Sequence, residues 1–316
     1  MLRAMAKRLP HPLLCRLYHY RRLQQESGRA AQAGGKAGLP LLDSIDLPGL
    51  RQSDTLFILG SAWSINDISE ERWEAIARCD SVGMNFWLAH PFVPTFFQFE
   101  DIAYEQQPEM YDAFLKLASR RAESYSGTLK IVTEVYATAA RQTVFELPVA
   151  MKRNFYVGFS MPVVARNEEE LRWGVSFMRS VGAFSRHERT RWLFKYGGSV
   201  IAMMTLGVRM GYKRIVLSGV DLNRQEYFYQ DKQRYPEYAD WEFVSKKDAH
   251  LTTRRLAWMV PAQEAIYIFK ELVLDPDGIE LFVESPASTL YSRVPLASQT
   301  LFAELRNRST QTGLTG

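Results

Sequence analysis

Three stretches of the chain carry side chains whose types and spacing suit chemistry. Gly60-Ser61-Ala62-Trp63-Ser64 closes a continuous apolar run, Thr55-Leu56-Phe57-Ile58-Leu59. Gly60 allows a tight turn there, small Ser61 and Ala62 let a ligand approach, and free N–H groups at the start of a following helix favour an anion. The loop has neither the Gly-x-Gly-x-x-Gly spacing nor the lysine of a Walker loop. A phosphate cradle and a plain small-residue turn both fit it. The second stretch, Leu217-Ser218-Gly219-Val220-Asp221-Leu222-Asn223, ends another apolar run, so Asp221 reads either as a ligand contact or as a loop cap. The third is His250, in Lys246-Lys247-Asp248-Ala249-His250-Leu251-Thr252-Thr253. A histidine near its unperturbed pKa can accept a proton at neutral pH, although a lone one also serves as a surface or capping group. His11, His19, His90 and His187 show no convergent carboxylate or cysteine pattern, so no metal site is expected. Asp275-Pro276-Asp277-Gly278 has a carboxylate spacing that suits a cation, but its Pro and Gly read as a turn.

The elements that must position these residues alternate in type. Thr55–Gly60, Ser81–Leu88, Pro94–Phe99, Leu129–Val135, Ile215–Asp221 and Ile279–Val283 read as strands. Ser64–Ala77, Tyr104–Ala118, Gly198–Met210 and Leu256–Leu274 read as helices, the first capped by Ser64. Such alternation predicts an α/β fold, a Rossmann-like parallel sheet with helices on both faces. Ligands in these sheets lie beyond the C-terminal strand ends. Residues 41–300 are expected to form the catalytic domain, with an insertion at about 137–190 and a polar, aromatic lid at about 222–253. Residues 301–316 are expected to be a C-terminal tail.

The composition, 47% hydrophobic and 23% charged over 316 residues, is that of a globular chain able to bury a core. Charge is uneven. Residues 1–36 carry eight basic residues against Glu26, or +7, which leaves −3 for the remainder of a chain whose total is +4. A mildly acidic body argues against nucleic-acid binding. Residues 1–24 read as a basic amphipathic helix that either lies on an anionic membrane surface or docks on the body. Residues 27–40 read as a flexible linker. No apolar run is long enough to span a bilayer, and no signal-peptide pattern is expected. Cys15 and Cys79 stand alone, which fits a reducing cytoplasm.

The order of these signals resembles the bacterial sialyltransferases of glycosyltransferase family 42 and their relatives of unassigned function. The resemblance covers about residues 54–101 and 195–295. Phe57 to Ser64 is similar to the family's first strand and glycine loop, with Ser64 matching its serine and Ser61 standing where asparagine is usual. Gly83-Met84-Asn85-Phe86 resembles its Cys-Asn-Gln stretch, with Phe86 in place of glutamine. Ser199, the helix to Gly211-Tyr212-Lys213, and Leu217 to Asp221 form the closest match. His250 stands at the family's general base, and Ser285-Pro286-Ala287-Ser288 matches a Pro-x-Ser segment near the cytosine.

The resemblance implies a metal-independent, inverting transfer of a sialic-acid-like sugar from a CMP-activated donor, with no cofactor. His250 would deprotonate the acceptor, while Tyr229 and Asn223 would stabilise the departing phosphate; Asn223 replaces a tyrosine. Gly60, Ser61, Ser64, Asn85, Ser199, Gly219, Asp221, Ser285 and Ser288 would contact the nucleotide and donor sugar. Lys195 would help neutralise the leaving group. The acceptor would be a surface glycan or glycolipid, reached by a cytoplasmic enzyme held peripherally on the inner membrane face through residues 1–24. Self-association is left open. The competing readings are a non-catalytic nucleotide-binding or scaffold protein of the same fold, and a transferase using another nucleotide sugar such as CMP-Kdo.

Overall fold

The computed structural model describes residues 34–135, 140–161, 163, 165–185, 192–223, 226–238, 241 and 259–307, with scattered positions between 17 and 32. Its centre is a seven-stranded, all-parallel sheet. The strands are β1 Thr55–Leu59, β2 Asp80–Met84, β3 Phe96–Glu100, β4 Leu129–Thr133, β5 Phe155–Val157, β8 Arg214–Ser218 and β9 Glu280–Val283, and β6 Phe159–Met161 pairs with β7 Trp192–Phe194 in a separate two-stranded sheet. The order β5-β4-β3-β2-β1-β8-β9 puts β1 at the centre. The chain winds outward from β1 on one side and resumes at β8 on the other, so the winding direction changes between these two strands.

All five residues of β1 are buried because both faces of the sheet are covered. Leu56 and Ile58 join one core with Ile215, Leu217 and the helices Glu168–Ser180, Ser199–Met210 and Ala262–Phe269. Phe57 and Leu59 face the opposite core with Val216, Phe97, Phe99 and the helices Glu70–Ala77, Pro108–Arg121 and Gln299–Asn307. This two-residue alternation is the pleat of the strand. The fold is therefore Rossmann-like α/β, with helices on both faces.

Several boundaries differ from the sequence reading. The expected helix Ser64–Ala77 is a 3-10 turn, Trp63–Asp67, followed by extended Ile68 and a helix that begins at Glu70. Ser64 caps no helix; it is buried between two loops instead. The strand expected to reach Leu88 ends at Met84, where Asn85 turns into the left-handed region at φ +52° and starts a 3-10 turn. Within the segment read as an insertion, Phe155–Val157 is an edge strand of the main sheet. The C-terminal segment forms the helix Gln299–Asn307, which buries Leu301, Phe302 and Leu305 in the core; residues 308–316 lie outside the described residues. The end of the composition-based linker is docked on the sheet edge, where the Val157 amide donates to the Pro40 carbonyl at 2.9 Å and Leu39 packs on the core. Asp275–Asp277 is a turn, as expected, and its carboxylates are engaged by Lys270 (2.7 Å) and Arg179 (2.6 Å).

Candidate functional site

The loops that follow β1, β8 and β9 meet at the point where the winding direction changes. The contact between the first two is a glycine pair. A Cβ on Gly60 would lie 2.2 Å from the Gly219 carbonyl oxygen, so this approach tolerates no side chain. Gly219 itself has φ +65°. The Gly60 amide donates to the Ser218 carbonyl at 2.8 Å and the Ala62 amide to the Gly219 carbonyl at 3.0 Å. One step out, the Ser64 hydroxyl donates to Asp221 Oδ1 at 2.6 Å and the Ser64 amide to Oδ2 at 3.2 Å. The Ala62 and Ser64 amides are thus spent inside the protein. Among the described residues, the Ser61 and Trp63 amides of this loop have no such partner.

The β9 loop is stitched to the same place. Ser288 donates to the Val220 carbonyl at 2.6 Å, Asn223 Nδ2 to the Ala287 carbonyl at 2.6 Å, and the Thr289 amide to the Asp221 carbonyl at 2.9 Å. Ser285 Oγ accepts the Ala287 amide at 3.2 Å. The fold therefore brings together Gly60, Ser61, Ser64, Gly219, Asp221, Asn223, Ser285 and Ser288. Among them, Ser64, Asp221 and Ser288 are buried and hydrogen-bonded to one another's loops. Ser218 Oγ, fully buried at the end of β8, has no partner among the described residues. Glu284 is also buried here and pairs with Arg72; burial raises its pKa, Arg72 opposes the shift, and Asp221 and Asp67 add to it.

An aromatic wall flanks these loops. Tyr227 bridges Ala62, the Phe228 amide donates to the Ser61 carbonyl at 3.0 Å, and Asn66 Nδ2 donates to the Phe228 carbonyl at 3.1 Å. Tyr229 stacks on Tyr227 with ring centroids 5.3 Å apart and an interplanar angle of 9°, and meets Trp241 at 5.5 Å. Phe86 packs against Phe114, Tyr229 and Trp241. The aromatic residue at this position thus makes wall rather than a polar contact. Burial holds the Tyr229 phenol well above its ordinary pKa, with Tyr227 adding to the shift, so it stays a donor.

Asn85 and Ser199 meet elsewhere, on Glu100 at the end of β3. Asn85 Oδ1 accepts the Glu100 amide at 3.1 Å, and the Ser199 hydroxyl donates to Glu100 Oε1 at 2.5 Å. Lys195 Nζ lies 2.9 Å from Glu100 Oε2 and 3.2 Å from Glu134 Oε1, and Ser160 donates to that same Glu134 oxygen. Burial pulls the Lys195 ammonium down, but Glu100 and Glu134 outweigh it and raise its pKa. Glu134 directly follows β4 at φ +61°. Sequence reading missed Glu100 and Glu134. The available signal was a charge at the end of the otherwise buried Phe-Phe-Gln-Phe-Glu strand, and another just after Leu-Lys-Ile-Val-Thr. His250 lies outside the described residues, as does half of the expected lid; residues 1–16 do also. No described helix is long and apolar enough to cross a membrane.

Fold and loops together define a doubly wound α/β protein whose candidate site lies at the C-terminal strand ends. Neither a protein-family model nor a curated protein sequence matches the chain. Among solved structures, the chain is similar to the monofunctional alpha-2,3-sialyltransferase Cst-I from Campylobacter jejuni, with 12% identity over 78% of this chain and 80% of that one, and a TM-score of 0.43.

Proposed function

We propose that the chain is a metal-independent, inverting glycosyltransferase that moves a sialic-acid-like sugar from a CMP-activated donor to a surface-glycan acceptor. The observation that carries this reading is the convergence of the Gly60–Ser64 loop with Gly219–Asn223 and Ser285–Ser288 where β1 and β8 part. Open parallel sheets bind nucleotides at such a place. The four motif stretches of the sequence resemblance supply the rest. In this reading the Ser61 and Trp63 amides face the phosphates, and Tyr229 supplies a hydrogen-bond donor as charge develops on the leaving group. His250 acts as the general base. The acceptor is a glycan or glycolipid, and residues 1–24 hold the enzyme on the inner membrane face.

The test is a thermal-shift comparison of CMP, CDP, UMP, UDP and GDP. Stabilisation by CMP above the others is expected, and preference for UDP or GDP overturns the cytidine assignment. His250→Ala is expected to keep CMP binding and to lose turnover by about 100-fold or more. The second reading, a nucleotide-binding or scaffold protein without catalysis, draws on one observation: the side chains of Ser64, Asp221 and Ser288 are already spent on internal hydrogen bonds. Binding of CMP with no transfer by the wild-type chain to any offered glycan would favour it.

A further inference from the structure

We infer that Glu134 and Lys195 form a hydroxyl-binding couple for the sugar carried by the nucleotide, an inference that rests on the nucleotide-sugar reading above. The first argument is position. Glu134 follows β4 directly, on the C-terminal edge where ligands of parallel sheets lie. β4 is three strands from β1, roughly 14 Å at the usual strand spacing. That is too far for phosphates held at the Gly60 loop and within reach of the sugar attached to them.

The second argument is the arrangement of donors and acceptors. Glu134 Oε1 is held by Lys195 Nζ at 3.2 Å and by the Ser160 hydroxyl. Lys195 is fixed from its other side by Glu100 at 2.9 Å. An ammonium has three donors, and two are directed at these carboxylates. Among the described residues nothing engages Oε2 of Glu134 or the third ammonium donor, so the couple offers one acceptor and one donor. Neighbouring hydroxyls of a sugar match this pair, one donating to the carboxylate and the next accepting from the ammonium. Both side chains are held but reachable, 26% exposed for Glu134 and 20% for Lys195. Below them, Gln98 lies on the same strand face as Glu100. It is 1% exposed and bonded through Nε2 to Thr133 at 2.9 Å, and its Oε1 has no partner among the described residues. Thr133, to which Gln98 is tied, is the last residue of β4 and the immediate neighbour of Glu134.

The third argument is backbone conformation. A glutamate at φ +61° is strained where glycine or asparagine would be comfortable. Residues kept in such conformations cluster at functional sites.

The experiment is calorimetric titration of wild type, Glu134→Asn, Glu134→Gln and Lys195→Met with matched pairs: CMP and CMP-N-acetylneuraminic acid, UDP and UDP-glucose, GDP and GDP-mannose. The quantity read is the affinity ratio of each sugar conjugate to its free nucleotide. All three variants are expected to lower that ratio by about 10-fold or more, and the two Glu134 variants to leave the free nucleotide unaffected. Glu134→Asn, which suits the left-handed backbone, is expected to melt no lower than wild type. An unchanged ratio in the Glu134 variants overturns the couple. So does equal weakening of nucleotide and conjugate, which marks a structural role. Wild-type preference for the uridine or guanosine pair overturns the cytidine assignment alone, and the couple is then read on that pair. Absence of binding by every nucleotide overturns both.

Discussion

Ser64 and Asp221, separated by 157 positions in the chain, are joined side chain to side chain at 2.6 Å, and the Ser64 amide completes the tie at 3.2 Å. Both residues are buried. The bond locks the loop after β1 to the loop after β8, which sets the shape of the candidate phosphate site. Asp221→Ala would leave a hydroxyl and an amide buried and unpaired. It is expected to lower stability by about 1–3 kcal/mol in urea unfolding, with Ser64→Ala non-additive in a double-mutant cycle. A wild-type midpoint for Asp221→Ala would show that the carboxylate is not structural.

The glycine pair makes a steric prediction. In Gly60→Ala the new methyl would meet the Gly219 carbonyl at 2.2 Å, and in Gly219→Ala it would meet Ile65 at 2.5 Å from a backbone at φ +65°. The first contact is with backbone at a central strand end, and the second requires the buried Ile65 side chain to move. Each substitution is expected to cost about 1–3 kcal/mol by chemical denaturation, and to weaken CMP-induced stabilisation as well. Unaltered midpoints would mean that the two loops are not in contact.

Two buried groups give pH dependences of opposite sign. Asp101 accepts from Thr143 Oγ1 at 2.7 Å and from the Val144 amide at 3.0 Å, but burial dominates and pushes its pKa up to about 6 from 3.8. The fold favours the protonated form, so this contribution is fully present below about pH 4 and is lost as pH rises through 6. The size is about 2–3 kcal/mol. His90, stacked on Trp87 at 4.6 Å, is lowered by burial, and by Arg121 and Arg234, to about 3 from 6.5. The fold favours neutral imidazole, so its contribution is present above about pH 6.5 and is lost as pH falls toward 3. Melting curves between pH 4 and 8 should show Asp101→Asn gaining on wild type as pH rises and His90→Phe gaining as pH falls. Parallel curves for all three proteins would contradict both assignments.

Tyr229 separates packing from chemistry. Phenylalanine keeps the stack on Tyr227 and the contacts with Phe86 and Trp241, and removes only the hydroxyl. Tyr229→Phe is expected to melt like wild type, bind CMP like wild type, and lose about 100-fold in turnover, the scale of one transition-state donor. Full activity would assign Tyr229 to the wall alone.

The parallel α/β architecture was legible because β1 and β8 are continuous apolar runs. Strands covered on both faces must be written that way, and Gly60 and Gly219 punctuate their ends. The helix Ser199–Met210 was equally legible, since it is apolar throughout and closed by Gly211. Less legible were the ends of elements. Ser64 has the type and spacing of a cap, yet a nearby carboxylate from the β8 loop competes for its hydroxyl. The edge strand Phe155–Val157 is too short for a periodic signal, and Gln299–Asn307 is recognisable only by the core it covers.

By itself the sequence determined the alternation of elements and the glycine-ended strands. Those features depend on local hydrophobic pattern and backbone freedom, which neighbouring residues encode. Tertiary structure alone decided which polar side chains are spent on each other and which face outward. Ser64 closes on Asp221, and Asn85 and Ser199 converge on Glu100. Lys195 then links Glu100 to Glu134 across strand ends more than thirty positions apart in the chain. Such pairings depend on strand order, and strand order is fixed by the burial of two opposite sheet faces rather than by any local run of residues.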